Sequence, residues 1–230
     1  MTEEQWLTAS SPLPMLMQVR LLAGDRKRRL FACACARRVG DLFADAASER
    51  AVRTAERYAD GLAGKKALHA ALAEARAAVR QAHTLDARQG NAAACAATAA
   101  TEANLEIARQ AAWLAAHARA PAPSAMRAEL QAQADLVRDL FGNPFRQPVV
   151  VDTAWLEWDG GAVRRLAQAV YTEQAFDLLP VLADALEDAG CAGPVLLDHL
   201  RRPGAHALGC WALDRLLGND EPQRIAGNAR

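Results

Sequence analysis

The rhythm of alanine and leucine constrains this chain more than any other feature. In "KKALHAALAEARAAVRQAHTL", residues 65–85, Leu68, Leu72, Ala75 and Val79 recur at three- and four-residue spacing with the charges between them. That is the pattern of a helix with one apolar face. It returns in Phe31, Cys35, Val39 and Leu42, in Val52, Ala55, Ala59 and Leu62, and in Leu105, Ala108, Ala112 and Ala116. Alanine and leucine head the helix-propensity scale, while the β-branched residues that favour strands gather only in "NPFRQPVVVD" at 143–152. The expectation is an all-α fold: about ten helices in a layered bundle. Two prolines limit the β-branched stretch to at most one short edge strand near 146–151.

Start and stop signals divide the rhythm into elements. Thr2 and Gln5 form a capping box, Ser11-Pro12 opens a second helix, and Gly24 followed by Asp25 separates it from a third. Ser48 is expected to cap a fourth helix, "QGN" at 89–91 to be a turn, and 91–119 to be one long alanine-rich helix. Ser124 restarts a helix that ends at Gly142, and "DGG" at 159–161 breaks the chain before the next. Asp177 is expected to cap a helix closed by Gly190, Gly193-Pro194 opens another, and Gly218 closes the last. With 230 residues the chain is long enough for a single helical domain over 1–230. "APAPS" at 120–124, which cannot continue a helix, is a possible subdivision into an N-terminal and a C-terminal half.

Charge and cysteine content narrow the function classes. Lys plus Arg total 27 and Asp plus Glu total 27, so no global attraction to nucleic acid is built in. The N-terminus lacks a secretory pattern and no stretch reaches 18 apolar residues, which points to a cytoplasmic protein that does not enter a membrane. Its five cysteines would then remain thiols, serving by default as buried apolar filler.

Several stretches together carry a resemblance: "MTEEQWL", "RKRRLFACACARR" at 26–38, "AERYADG" at 55–61, "LVRDLFGNPFR" at 136–146, "FDLLPVLADALEDAGC" at 176–191 and "GAHALGCWALDRLLG" at 204–218. In these the chain resembles a family of uncharacterised, all-helical bacterial proteins abundant in planctomycetes. The resemblance spans nearly the whole chain and implies a helical fold, with no chemistry attached and a mild leaning toward interaction roles. The chain departs from that family where Cys35 is followed by Ala36 instead of a second cysteine.

Two constellations stand out. Cys191, His199, His206 and Cys210 make two imidazoles and two thiols, a permitted zinc set, though only His206 and Cys210 have the close spacing usual at structural sites. Read as chemistry, Cys210 would be a nucleophile with His206 as its base, but no oxyanion hole or orienting group accompanies them. Read as packing, His199 turns outward and the rest fill space. Arg26, Lys27, Arg28 and Arg29 form a basic patch for an anion or nucleic acid, or a face paired to acidic groups of the same chain. No phosphate loop, dinucleotide fingerprint, zinc-protease helix or serine elbow is present, so no catalytic residue and no cofactor-binding residue is assigned. The expected function is an interaction or scaffold module that binds a protein partner or its own copy, without catalysis. The alternatives are a zinc-binding domain and a nucleic-acid binder.

Overall fold

The computed structural model of the chain describes residues 1–119 and 122–220. Along it run α1 (Glu3–Thr8), α2 (Pro12–Gln18), α3 (Asp25–Arg37), α4 (Ala46–Ala59), α5 (Lys65–Leu85) and α6 (Ala87–Ala99). There follow α7 (Leu105–Arg119), α8 (Pro123–Phe141), α9 (Thr153–Glu173), α10 (Leu179–Asp188), α11 (Pro194–Arg201) and α12 (Trp211–Leu217). Single 3-10 turns lie at Gly40–Leu42 and Phe176–Leu178. The fold is all-α, and among the described residues no strand forms, so 146–151 is irregular chain.

Contacts divide the chain into two compact units, Met1–Arg138 and Asp139–Arg230. Of the 120–124 segment, residues 120 and 121 lie outside the described residues, and α8 begins at Pro123. In the first unit α3 packs on α4, α6 and α7. Every residue from Leu30 to Ala36 is buried, as a helix apolar on all sides must be. The packed pair α6 and α7 buries many alanines, Ala92, Ala93, Ala96, Ala108, Ala112 and Ala115 among them, and small side chains let neighbouring helices approach closely.

Local chemistry sets the element ends, and some differ from expectation. The capping box is present, Thr2 Oγ1 accepting from Gln5 N–H at 3.2 Å and Gln5 Oε1 from Thr2 N–H at 2.9 Å. Asp45, not Ser48, caps α4: the helix begins at Ala46, so Asp45 holds the cap position and its carboxylate accepts the N–H of Ser48, already the third residue of the helix, at 2.9 Å. Residues 89–91 are not a turn but lie inside α6. A Cβ at Gly90 would fall 2.2 Å from Nδ1 of the exposed His83 on α5, so any larger residue there would have to displace that ring. The expected single helix over 91–119 is two helices, and Arg29 reaches the break to donate to the carbonyls of Ala99 (3.0 Å) and Thr101 (2.6 Å). Asp177 lies in the 3-10 turn and does not cap α10.

In the second unit Val163, Val170, Leu182, Leu186, Leu196, Leu200, Leu213 and Leu216 form one apolar core. The helix assigned as α9 is broken at 158–161, where Asp159, Gly160 and Gly161 all take positive φ (46°, 61° and 87°). This is the break that "DGG" signals.

Candidate metal centre

The second unit holds a cluster of polar side chains inside its apolar shell. Asp139 sits in the last turn of α8, beside the buried Leu136 and Leu140, and is itself 0% exposed. His199 lies on α11, three residues after Leu196 and one before Leu200; that register turns it inward, 8% exposed, against the expectation that it faces out. His206 comes from the turn that follows. Cys210, 0% exposed, is the residue immediately before α12, so His206 and Cys210 are not on adjacent turns of one helix.

These four residues converge, with their ligating atoms all within 4.8 Å of one another. Asp139 Oδ1 is 2.6 Å from His206 Nδ1 and 3.3 Å from His199 Nε2, and His199 Nε2 is 3.1 Å from Cys210 Sγ. Asp139 Oδ2 accepts the Ala207 backbone N–H at 3.0 Å. Comparison with protein families, with curated proteins and with solved structures returns no match for this chain. What the cluster does must therefore be argued from its own geometry.

Donors and acceptors assign the protons. The indole N–H of Trp211 lies 3.0 Å from His199 Nδ1, and since an indole nitrogen only donates, Nδ1 carries the lone pair and Nε2 the hydrogen. His206 faces oxygen acceptors on both sides, Asp139 Oδ1 and the Arg202 carbonyl at 3.4 Å, which suits an imidazolium. Burial disfavours charge on both rings. In His199 burial prevails and its pKa is lowered; in His206 the hydrogen bond and charge of Asp139 prevail and its pKa is raised. Burial alone would raise the Asp139 pKa, but hydrogen bonds from His199 and His206 bring it down to about 2. Burial pushes the Cys210 thiol well up, the Asp139 charge adds to that, and the backbone amides of Leu213 and Ala212 offset only part.

These protonation states weaken a nucleophilic role for Cys210. The nitrogen next to Sγ belongs to His199, not His206, and already carries a hydrogen, so it cannot accept the thiol proton.

Of the residues singled out from sequence, His199, His206 and Cys210 are brought together and Cys191 is not. Cys191 is buried in the apolar core beside Gly193, and Asp139 stands in the cluster in its place. The sequence signal for Asp139 was an acid on the buried side of an amphipathic helix, in the last turn, where the helix dipole opposes negative charge.

The basic patch is paired within the chain. Arg26 meets Asp60 at 2.8 Å, and Arg28 meets Asp25 at 3.1 Å and the Arg20 carbonyl at 2.9 Å. Arg29 is buried, its guanidinium over the Tyr58 ring at 5.0 Å, and Lys27 is 8% exposed. Arg37 pairs with Glu49 and Glu56, and Arg38 with the buried Glu129.

Proposed function

We propose that the second unit is a metal-binding module in which Asp139 Oδ1, His199 Nε2, His206 Nδ1 and Cys210 Sγ hold one divalent cation as a structural clip. The observation that carries this reading is the convergence of four ligating atoms from three separate chain segments within 4.8 Å. A tetrahedral zinc with bonds of about 2.0–2.3 Å separates its ligand atoms by roughly 3.3–3.7 Å. Of the six separations, all within 4.8 Å, those at 3.1 and 3.3 Å lie close to that, and the one at 2.6 Å is shorter as a hydrogen bond requires. One oxygen, two imidazole nitrogens and one sulfur suit zinc better than magnesium or calcium, which prefer oxygen alone. Outer contacts support two of the ligands: the Ala207 N–H orients the carboxylate, and the Arg202 carbonyl receives the far nitrogen of His206. Four protein ligands fill a tetrahedral shell and leave no open position for substrate, so the role is structural.

Titration of the full-length, untagged protein with Co2+, followed by optical absorption, tests the reading. Thiolate-to-cobalt and tetrahedral d–d bands are expected, saturating at about one equivalent. They should be lost in Cys210→Ser and in His206→Ala and kept in Cys191→Ala. Absence of these bands in the wild type, or their survival in Cys210→Ser, overturns it.

A second reading draws on the first unit. Leu7, Leu13, Met17, Leu21 and Leu22 are exposed on and just after α1 and α2, Leu21 by 74%. Exposed apolar groups gathered in one part of a chain mark interaction surfaces. A two-fold interface pairs the same residues of both copies and the zero net charge sets up no repulsion between copies, so we read these residues as a contact for a second copy of this chain. No helix among the described residues is long and apolar enough to cross a membrane. The five free, buried thiols suit the reducing cytoplasm in which we place the protein.

A further inference from the structure

We infer that Trp211 controls occupancy of the centre: its indole N–H holds His199 in the one neutral tautomer that cannot ligate through Nε2, so cation entry and release of that hydrogen bond are a single coupled event. The inference rests on the metal-binding reading and adds its regulation.

A metal-bound imidazole offers a lone pair on the ligating nitrogen and carries its hydrogen on the other, usually donated to an oxygen acceptor. His206 already meets that demand, since its far nitrogen faces the Arg202 carbonyl. His199 meets the opposite condition. Its far nitrogen, Nδ1, faces a donor at 3.0 Å, and the hydrogen stands on Nε2, between Sγ and Oδ1, where a cation would bind. For the cation to enter, that hydrogen must leave Nε2. The neutral ring then carries it on Nδ1, where two N–H groups would point at each other across 3.0 Å. Indole has no lone pair to offer in return, so Trp211 must withdraw.

The surroundings allow such a withdrawal. Trp211 is half-buried, at the start of α12 directly after the ligand Cys210. Its ring lies against Gly142, at φ 66°, where a Cβ would fall 3.3 Å from indole Cγ. A Cβ there would crowd the ring and the positive φ favours glycine, and Gly142 follows α8 three residues after Asp139. The indole therefore touches the segments that carry three of the four ligands. Without a cation, the hydrogen bonds of Trp211, His199, His206 and Ala207 form a continuous network around the buried Asp139; with one, the indole is released.

Two measurements test this. Trp211→Phe keeps an aromatic ring and removes the opposing N–H. It is expected to bind Co2+ roughly five- to tenfold more tightly than wild type, the weight of one hydrogen bond. In wild-type protein labelled with 15N, the Trp211 indole cross-peak is expected to move toward the position of a free indole as Zn2+ is added, with the other tryptophan side-chain peaks unmoved. Equal or weaker Co2+ binding by Trp211→Phe, or an unmoved indole peak while wild type binds, overturns the inference and leaves the metal reading standing. If neither protein binds Co2+ or Zn2+, the metal reading fails and takes the inference with it. Should Trp211→Phe not fold, judged by its circular dichroism, the wild-type cross-peak decides alone.

Discussion

Asp139 and His206 are 67 residues apart in sequence, yet Oδ1 and Nδ1 meet at 2.6 Å, and the Asp139 carboxylate is sealed from solvent. A buried ion pair adds little net stability when complete, but removing one partner strands the other and costs about 3–5 kcal/mol. Asp139→Ala is therefore expected to lower unfolding stability in urea by roughly that amount, and His206→Ala by a comparable one. The double variant should cost much less than the sum, because the stranded charge is gone. Additive costs would show that the two residues do not act as a pair.

Gly90 makes a prediction in which the sign depends on a neighbour. Glycine to alanine in a helix ordinarily gains about 1 kcal/mol. At Gly90 the new Cβ meets the His83 ring at 2.2 Å, so Gly90→Ala alone should gain nothing or lose stability. In a His83→Ala background the same change is expected to stabilise by about 0.5–1 kcal/mol. Thermal unfolding of the four proteins reads the difference; an equal effect in both backgrounds contradicts the contact.

The arginines of α3 separate structure from nucleic-acid binding. Arg29 satisfies the carbonyls of Ala99 and Thr101 at the end of α6, and hydrogen bonds from charged groups are worth about 1.5–3 kcal/mol. Arg29→Met should cost stability in that range. Because Arg26 and Arg28 are also paired within the chain, retention on single-stranded DNA at low salt is expected to be negligible. Strong, salt-dependent retention lost in Arg26→Ala and Arg28→Ala would reverse this account of the patch.

Among the exposed apolar residues on and just after α1 and α2, Leu13→Glu combined with Leu21→Glu should shift sedimentation toward the monomer and leave the helical content unchanged. A wild type that sediments as a monomer at every concentration tested removes the second-copy reading.

The helical fold was legible because it follows from local rules. The alanine and leucine rhythm, the capping box at Thr2, the break at "DGG" and the stop at Gly142 each act within a few residues and need no tertiary partner. Where local rules misled, a distant residue intervened. Gly90 reads as a turn until the His83 ring of the neighbouring helix is seen to occupy the space a Cβ would take. The helix expected over 91–119 breaks at a point where Arg29, some seventy residues earlier, supplies the missing donors.

The candidate site was half legible for the same reason. His199, His206 and Cys210 lie within 12 residues and share one local fold, so spacing alone brought them under suspicion. Asp139 is separated from His206 by most of the second unit and reaches it only through packing, while Cys191, close in sequence, is turned into the apolar core.

Zinc content measured by elemental analysis tests the central claim most directly. The full-length protein is purified without a histidine tag, equilibrated with Zn2+ and dialysed against metal-free buffer. The account predicts about one zinc per chain, falling to near zero in Asp139→Asn and Cys210→Ser and unchanged in Cys191→Ala. A wild type that emerges from dialysis without zinc, or an Asp139→Asn variant that retains a full equivalent, would contradict it.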